Sequence, residues 1–313
     1  MKDTWDKSSG PMHPNATLNP TFANFHRVVL WYCDGASFAG SVAAPVVNTT
    51  SSGKKVSMYF RGQQILKAVL AKLKQPDYGL GHAKQVLLTG CSAGGMSTYL
   101  HADAVKAEVA NPALTRYKVA ALSGFFLDHP TAAGVPATDD NYHYMFHMQN
   151  MSSGVNQACL AAHSSSPAAC STPQANYAFV KSPFFVMNSM LDAYQMGNIL
   201  QVGCASLGHC NVTQIQEMKH YQQSFRATIT SIGTLSAPGN GGFLYNCDVH
   251  CGEQDSNGFN KFAVPRMSGA ADARTVMQVA LSAWWASDES VAEEHTYIEP
   301  CTLAGPHPCN PTC

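Results

Sequence analysis

The segment Val86-Leu87-Leu88-Thr89-Gly90-Cys91-Ser92-Ala93-Gly94-Gly95 decides how this chain is read. An apolar, β-prone run leads into Gly90-x-Ser92-x-Gly94, the spacing of a nucleophile elbow, and residues 96–109 after it carry a helical pattern. A strand that turns sharply into a helix brings two backbones together and strains the residue at the apex. The positions beside Ser92 must therefore be small, and Gly90 and Gly94 meet that need. Such a turn would hold the Ser92 hydroxyl clear of the sheet and set the Ala93 N–H at a helix N-terminus, where negative charge is stabilised. A bare Gly-x-Ser-x-Gly also arises by chance in glycine-rich loops. The buried strand before it and the helix after it, with Met96, Leu100, Ala104 and Ala107 on one face, supply the setting that the motif requires.

Working outward, residues 1–25 read as irregular, broken by Pro11, Pro14 and Pro20. Residues 28–33 are the first strand candidate and end in the turn signal Asp34-Gly35-Ala36-Ser37. A polar hairpin-like loop at 48–55 leads to a strand at 56–60. Residues 61–75 fit an amphipathic helix with Ile65, Leu66, Val69, Leu70 and Leu73 inward, stopped by Pro76. Further strands are expected at 118–123, 184–188 and 242–246. Helices are expected at 213–228, with Ile215, Met218, Tyr221 and Phe225 as the apolar face, and at 270–286. Between 129 and 183 the pattern dissolves into Ser/Ala/Pro/His-rich sequence that reads as a lid-like insertion. Residues 299–313 form a Cys- and Pro-rich tail expected to be stapled to the surface. Strands alternating with helices predict one α/β-hydrolase-like domain over 1–313, a mostly parallel central sheet with helices on both faces.

Composition narrows the partners. Charged residues make up 12% of the 313 and the formal net charge is −1, so no basic field exists to hold nucleic acid. No apolar run approaches the roughly 18 residues of a membrane span. Eleven cysteines, several in loop-like surroundings, suit an oxidising compartment. Their spacings, as in Cys204 to Cys210, Cys247 to Cys251 and Cys309 to Cys313, are too wide for paired zinc knuckles. Sequons at Asn15, Asn48, Asn150 and Asn211 fit a secreted glycoprotein. Against this, Met1-Lys2-Asp3-Thr4-Trp5-Asp6-Lys7 is polar and lacks the apolar core of a signal peptide. The odd cysteine count also leaves one thiol without an internal partner. A lost N-terminal piece would explain both, as would a free cysteine in an intracellular protein.

A serine nucleophile needs a base, and the base needs an orienting acid. In sheets of this kind the working groups lie just past the C-terminal ends of strands. Asp192 lies four residues beyond the expected strand end at Asn188, and His250 four beyond Asn246. The order Ser92, Asp192, His250 is that of α/β-hydrolases. Asp128 competes for the acid but follows one strand too early. Among thirteen histidines, His129, His143, His147 and His163 fall in the lid-like segment, while His82 and His101 flank the elbow and point away. His250, between Cys247 and Cys251, would be held firmly whether those cysteines bond to each other or elsewhere. The chemistry so assembled is acyl transfer with Ala93 as oxyanion donor, and it requires no metal or cofactor.

Tyr32-Cys33-Asp34-Gly35-Ala36-Ser37-Phe38-Ala39-Gly40, Tyr59-Phe60-Arg61-Gly62-Gln63, Gly90-Cys91-Ser92-Ala93-Gly94-Gly95, Gly124-Phe125-Phe126-Leu127-Asp128 and the cysteine-flanked His250 together resemble the pectin acetylesterase family. That family includes the animal Wnt-deacylating carboxylesterase, and the 32–40 segment is closer to the plant branch. The resemblance implies a secreted α/β-hydrolase that removes O-acetyl groups from a cell-wall polysaccharide such as pectin, with its triad on Ser92, Asp192 and His250. It implies an extracellular or cell-wall location. Family members carry a glycine-rich loop before the Tyr-Cys-Asp-Gly segment that completes the oxyanion hole. The present sequence begins after that place, so an N-terminally incomplete family sequence is expected, the absent stretch also supplying a cysteine and the signal peptide. Alternative readings are a carboxylesterase for a longer acyl chain on a protein or lipid, a catalytically silent binding protein, and a protease. Tyr142, Tyr144 and Phe146 are candidates for stacking on a sugar or acyl chain.

Overall fold

The structure, a computed structural model, describes residues 10–266, 273–289 and 294–313. Two short strands, β1 (Val46–Thr49) and β2 (Lys55–Met58), pair as an antiparallel hairpin. Helix α1 (Gly62–Leu73) leads to β3 (Gln85–Cys91), α2 (Ala93–Val109) and β4 (Arg116–Leu122). The helices α3 (Ala137–Met148), α4 (Gln157–Ala162) and α5 (Pro173–Asn176) precede β5 (Phe184–Ser189). After it come α6 (Ala193–Asn198), α7 (Val212–Ser231), β6 (Gly241–Tyr245) and α8 (Ser256–Lys261). A small antiparallel pair, β7 (Ala263–Pro265) and β8 (Arg274–Val276), leads into α9 (Met277–Ala286) and β9 (Thr296–Ile298).

Strands β3-β4-β5-β6-β9 form one five-stranded sheet, every neighbouring pair parallel. Its side chains alternate between two packed layers, as the pleat requires. Val119, Ala121, Phe184, Val186 and Leu244 join α2 and α7 on one face. Ala120, Leu122, Phe185, Met187 and Phe243 meet Met277, Leu281 and Trp284 of α9 on the other. Both faces being covered explains the apolar runs at 119–122 in β4, 184–187 in β5 and 241–245 in β6. A third cluster, containing Phe146, Met151, Cys159 and Cys170, packs the segment between β4 and β5 against Ala36, Ala39 and Leu100.

The expected strands at 56–60, 118–123, 184–188 and 242–246 and the helices at 61–75 and 213–228 stand in place with bounds shifted by a few residues. Ile215, Met218, Tyr221 and Phe225 are all buried. Other expectations need correction. Residues 28–33 form no strand: Val28, Val29, Trp31 and Tyr32 are exposed, Trp31 at 64%, and among the described residues no neighbouring strand pairs with them. Strand β3 is half-buried rather than buried, since it is the edge of the sheet. Ile65 of α1 faces solvent while Leu66 and Leu70 go inward. On α2 the buried face is Met96, Tyr99, Leu100, Val105 and Val109, and Ala104 and Ala107 are exposed. The last helix starts at Met277 because Arg274–Val276 is drawn into β8; residues 270–272 lie outside the described residues, as does the polar stretch 1–7. The segment 129–183 is built largely of short helices.

Ten cysteines form five disulfides: Cys91–Cys251, Cys159–Cys170, Cys204–Cys210, Cys247–Cys313 and Cys301–Cys309. Cys247–Cys313 staples the tail to the loop after β6, as expected, and Cys301–Cys309 closes a loop within the tail. The remaining thiol, Cys33, is exposed.

Candidate active site

Ser92 sits at the apex between β3 and α2 with φ 59° and ψ −125°, a backbone conformation that L-residues rarely adopt. The strain is held by the sheet: the Ser92 N–H donates to Leu122 O at 3.0 Å, and Ser92 O accepts the Met96 N–H at 2.8 Å. The steric reason for small residues is narrower than the motif implies. A Cβ on Gly90 would stand 2.5 Å from Gly94 O, and one on Gly95 would stand 2.5 Å from Leu122 O, whereas a Cβ on Gly94 meets nothing within 4 Å. Gly90 and Gly95 therefore carry the close approach of helix to sheet. As the first residue of α2, Ala93 presents an N–H without an intrahelical partner. Its carbonyl accepts the Ser37 hydroxyl at 2.9 Å, which braces the elbow from the Asp34–Phe38 turn. That turn is itself fixed by buried polar groups. The Asp34 carboxylate accepts the Phe38 N–H at 3.0 Å, and His101 Nε2 lies 2.9 Å from Ser37 O. Burial lowers the His101 pKa to about 4, partly opposed by the Ser37 bond, so the ring is neutral above that pH.

Asp192 and His250 lie side by side. Asp192 is fully buried at the N-cap of α6, where it accepts the Gln195 N–H at 3.1 Å. Its two oxygens lie 3.0 and 2.8 Å from His250 Nδ1. The His250 ring keeps only 22% exposure, and its Nε2 is buried with no hydrogen-bond partner among the described residues. Burial alone would lower the His250 pKa, but the hydrogen bond and charge of Asp192, with the charge of Glu253, outweigh it and the net shift is upward. The alternative acid, Asp128, is exposed, and its N–H donates to Gln174.

What joins the His250 loop to the elbow is the disulfide Cys91–Cys251, with Cα atoms 6.0 Å apart. It links the residue before Ser92 to the residue after His250 across 160 positions of sequence. The loop is held further by Cys251 N–H to Ser123 Oγ at 3.1 Å and by Ala193 N–H to Val249 O at 3.3 Å.

Two aromatic rings flank the imidazole, Tyr194 at 5.3 Å and Phe126 at 6.5 Å between centroids. Of the three aromatic residues expected in the lid-like segment, Phe146 is buried, Tyr144 is exposed, and Tyr142 reaches Met96 Sδ with its hydroxyl at 3.5 Å. Sequence reasoning missed Tyr194, Ser37, Ser123 and Glu253. Tyr194 stands two residues after Asp192 and Glu253 three after His250, so proximity to the chosen acid and base is the signal that could have found them.

A model of the pectinacetylesterase family matches residues 1–313. The chain belongs to the pectinacetylesterase family. Pectin acetylesterase 5 of Arabidopsis thaliana is 29% identical over 317 aligned residues, covering 97% of this chain and 67% of that protein. Pectin acetylesterase 4 of the same plant is 27% identical over 97% of this chain and 70% of its own length. The palmitoleoyl-protein carboxylesterase Notum of Drosophila melanogaster is 27% identical over 60% of this chain and 27% of its own length. In three dimensions, the Drosophila Wnt deacylase Notum superposes with a TM-score of 0.78 at 22% identity, covering all of this chain and 82% of that one. The fold of this family member is accordingly α/β-hydrolase-like.

Proposed function

We propose that this pectinacetylesterase-family chain is a serine esterase that removes O-acetyl groups from a cell-wall polysaccharide such as pectin. The observation that carries the reading is the pairing of a strained elbow serine with a His250–Asp192 couple through the Cys91–Cys251 bridge. His250 Nε2 takes the Ser92 proton as Ser92 Oγ attacks the ester carbon. The Ala93 N–H stabilises the oxyanion, and Asp192 fixes the imidazole tautomer with Nδ1–H toward the carboxylate. The sugar hydroxyl leaves with the proton from His250. Water, activated by the same imidazole, then attacks the acyl-enzyme, so acetate is released and Ser92 restored.

The partly exposed Tyr194 ring beside His250 offers a face on which a pyranose could stack. Five disulfides and plant relatives that act on pectin support an extracellular setting. Among the described residues no helix is long and apolar enough to cross a membrane. In this reading 1–313 works as one catalytic domain, with 129–183 as its lid.

The test is acetate release from 4-nitrophenyl acetate and from acetylated pectin, comparing the chain with its Ser92→Ala variant. Loss of about 10⁴-fold or more in kcat on both substrates is expected. Activity that survives Ser92→Ala would remove the assignment. A 4-nitrophenyl ester series that peaks at long chains would transfer it to the carboxylesterase reading.

A further inference from the structure

Behind the His250 loop lies a carboxylate that the triad chemistry does not use. Glu253 is fully buried, yet both its oxygens are occupied by donors. Ser123 Oγ donates to Oε2 at 2.9 Å, and Tyr245 Oη donates to Oε1 at 3.0 Å. Ser123 in turn accepts the Cys251 N–H at 3.1 Å, one residue from His250. Ser123 and Cys251 both hold left-handed backbone conformations, with φ 43° and 58°. Non-glycine residues do so only where their surroundings impose it, and the Glu253–Ser123–Cys251 chain of bonds is such a constraint. Ser123 is also pinned to the sheet by its N–H to Met187 O at 2.7 Å. The turn at the start of the described chain packs on the Glu253 backbone: a Cβ on Gly10 would lie 1.9 Å from the Glu253 carbonyl oxygen.

We infer that Glu253 is a positioning residue for the esterase reaction: through Ser123 it fixes the backbone beside His250, and its negative charge supports the protonated imidazole. This inference rests on the reading of His250 as the base. Hydroxyl donation to both carboxylate oxygens stabilises the ionised form, while the same hydroxyl oxygens can accept the proton of the neutral acid. Burial acts the other way and is the larger influence, so the Glu253 pKa rises to about 7, the Asp192 charge adding to the rise and the Ser123 and Tyr245 bonds opposing it. Among the described residues, the titratable groups facing Glu253 are Asp192 after β5, Tyr245 on β6 and His250 on its own loop. Glu253 thus gains its negative charge as pH rises through about 7, and that charge opposes loss of the proton from His250.

The experiment is the pH profile of kcat/KM on 4-nitrophenyl acetate for the full chain and for Glu253→Gln, an isosteric change that can keep one acceptor toward Ser123. Without the negative charge the imidazole loses its proton more easily, so the acid limb shifts to lower pH, by about half a unit, with KM unchanged. Ser123→Ala, which removes the acceptor of the Cys251 N–H, lowers kcat about tenfold. If Glu253→Gln fails to fold, Tyr245→Phe serves instead. It removes one donor to the carboxylate, keeps more of it protonated, and shifts the limb the same way. An acid limb that coincides with that of the unaltered chain overturns the inference. Activity that persists in Ser92→Ala would instead overturn the esterase reading, so the two failures are told apart.

Discussion

Asp192 accepts two bonds that belong to different structures, the Gln195 N–H of a helix start and the His250 Nδ1–H of the site. Asn caps a helix as well as Asp, so Asp192→Asn should leave α6 and the melting temperature nearly unchanged. The amide, however, can offer N–H to Nδ1 and so favours the wrong imidazole tautomer, and kcat should fall by about 10⁴. Comparing kcat on 4-nitrophenyl acetate with the thermal melt separates the two roles. Retention of activity within tenfold would move the acid role to Asp128. Asp192 was legible because its place is set by a rule about strand ends, and the same rule located His250. Glu253 was not, because a single acid in a Cys/Asp/Gly-rich loop looks solvated. Only the tertiary approach of Ser123 and Tyr245 makes it a buried, bonded group.

At the scale of elements, the elbow and the loop after β6 are joined by the Cys91–Cys251 bond, whose two ends adjoin Ser92 and His250, the proposed nucleophile and base. Cys91–Cys251 closes a separation of 160 residues and Cys204–Cys210 one of only 6. Chain entropy alone then makes the first worth about 5 kcal/mol and the second about 2 kcal/mol. The double variant Cys91→Ser/Cys251→Ser should be the more destabilised in denaturant melts and should also lose kcat, because His250 is released from the elbow. Cys204→Ser/Cys210→Ser should keep its kcat. Equal kcat in the two variants would mean that hydrogen bonds alone hold the loop. The pairing itself could not be read from eleven cysteines, since spacing says nothing about which loops the sheet brings together. A related limit governs residues 28–33. Their composition is that of a strand, but a strand exists only where a neighbour takes its backbone bonds, and β3 pairs on one side alone among the described residues. The buried apolar run was reliable for β5, all of whose residues are buried, and the 3.6 period for α7, one face of which packs inward while the other meets solvent; the same period misled on α1 and α2, where exposure at Ile65, Ala104 and Ala107 depends on what packs alongside.

For the whole molecule, the buried titratable groups set a pH range of greatest stability. Glu253 has its folded pKa raised to about 7 from 4.5, so its contribution is fully present below pH 4.5 and is lost as pH rises through 7. Asp34, raised by burial, and His250, raised in net by Asp192, act with the same sign, so the chain loses stability toward alkaline pH. His101 acts oppositely. Its folded pKa is lowered to about 4 from 6.5, so its contribution is present above 6.5 and is lost as pH falls through 4. Between about 4.5 and 6.5 the Glu253 and His101 slopes oppose each other; above that window the losses from Glu253 and His250 prevail, and below it Glu253 contributes no further gain. Thermal melts should therefore peak in mildly acid buffer and decline toward pH 8. The Glu253→Gln variant should decline less over pH 5–8, because the removed slope corresponds to a pKa displacement worth on the order of 3 kcal/mol. A variant curve that parallels the unaltered chain over that range would mean that Glu253 titrates alike in the folded and unfolded states, and the alkaline loss would then belong to His250.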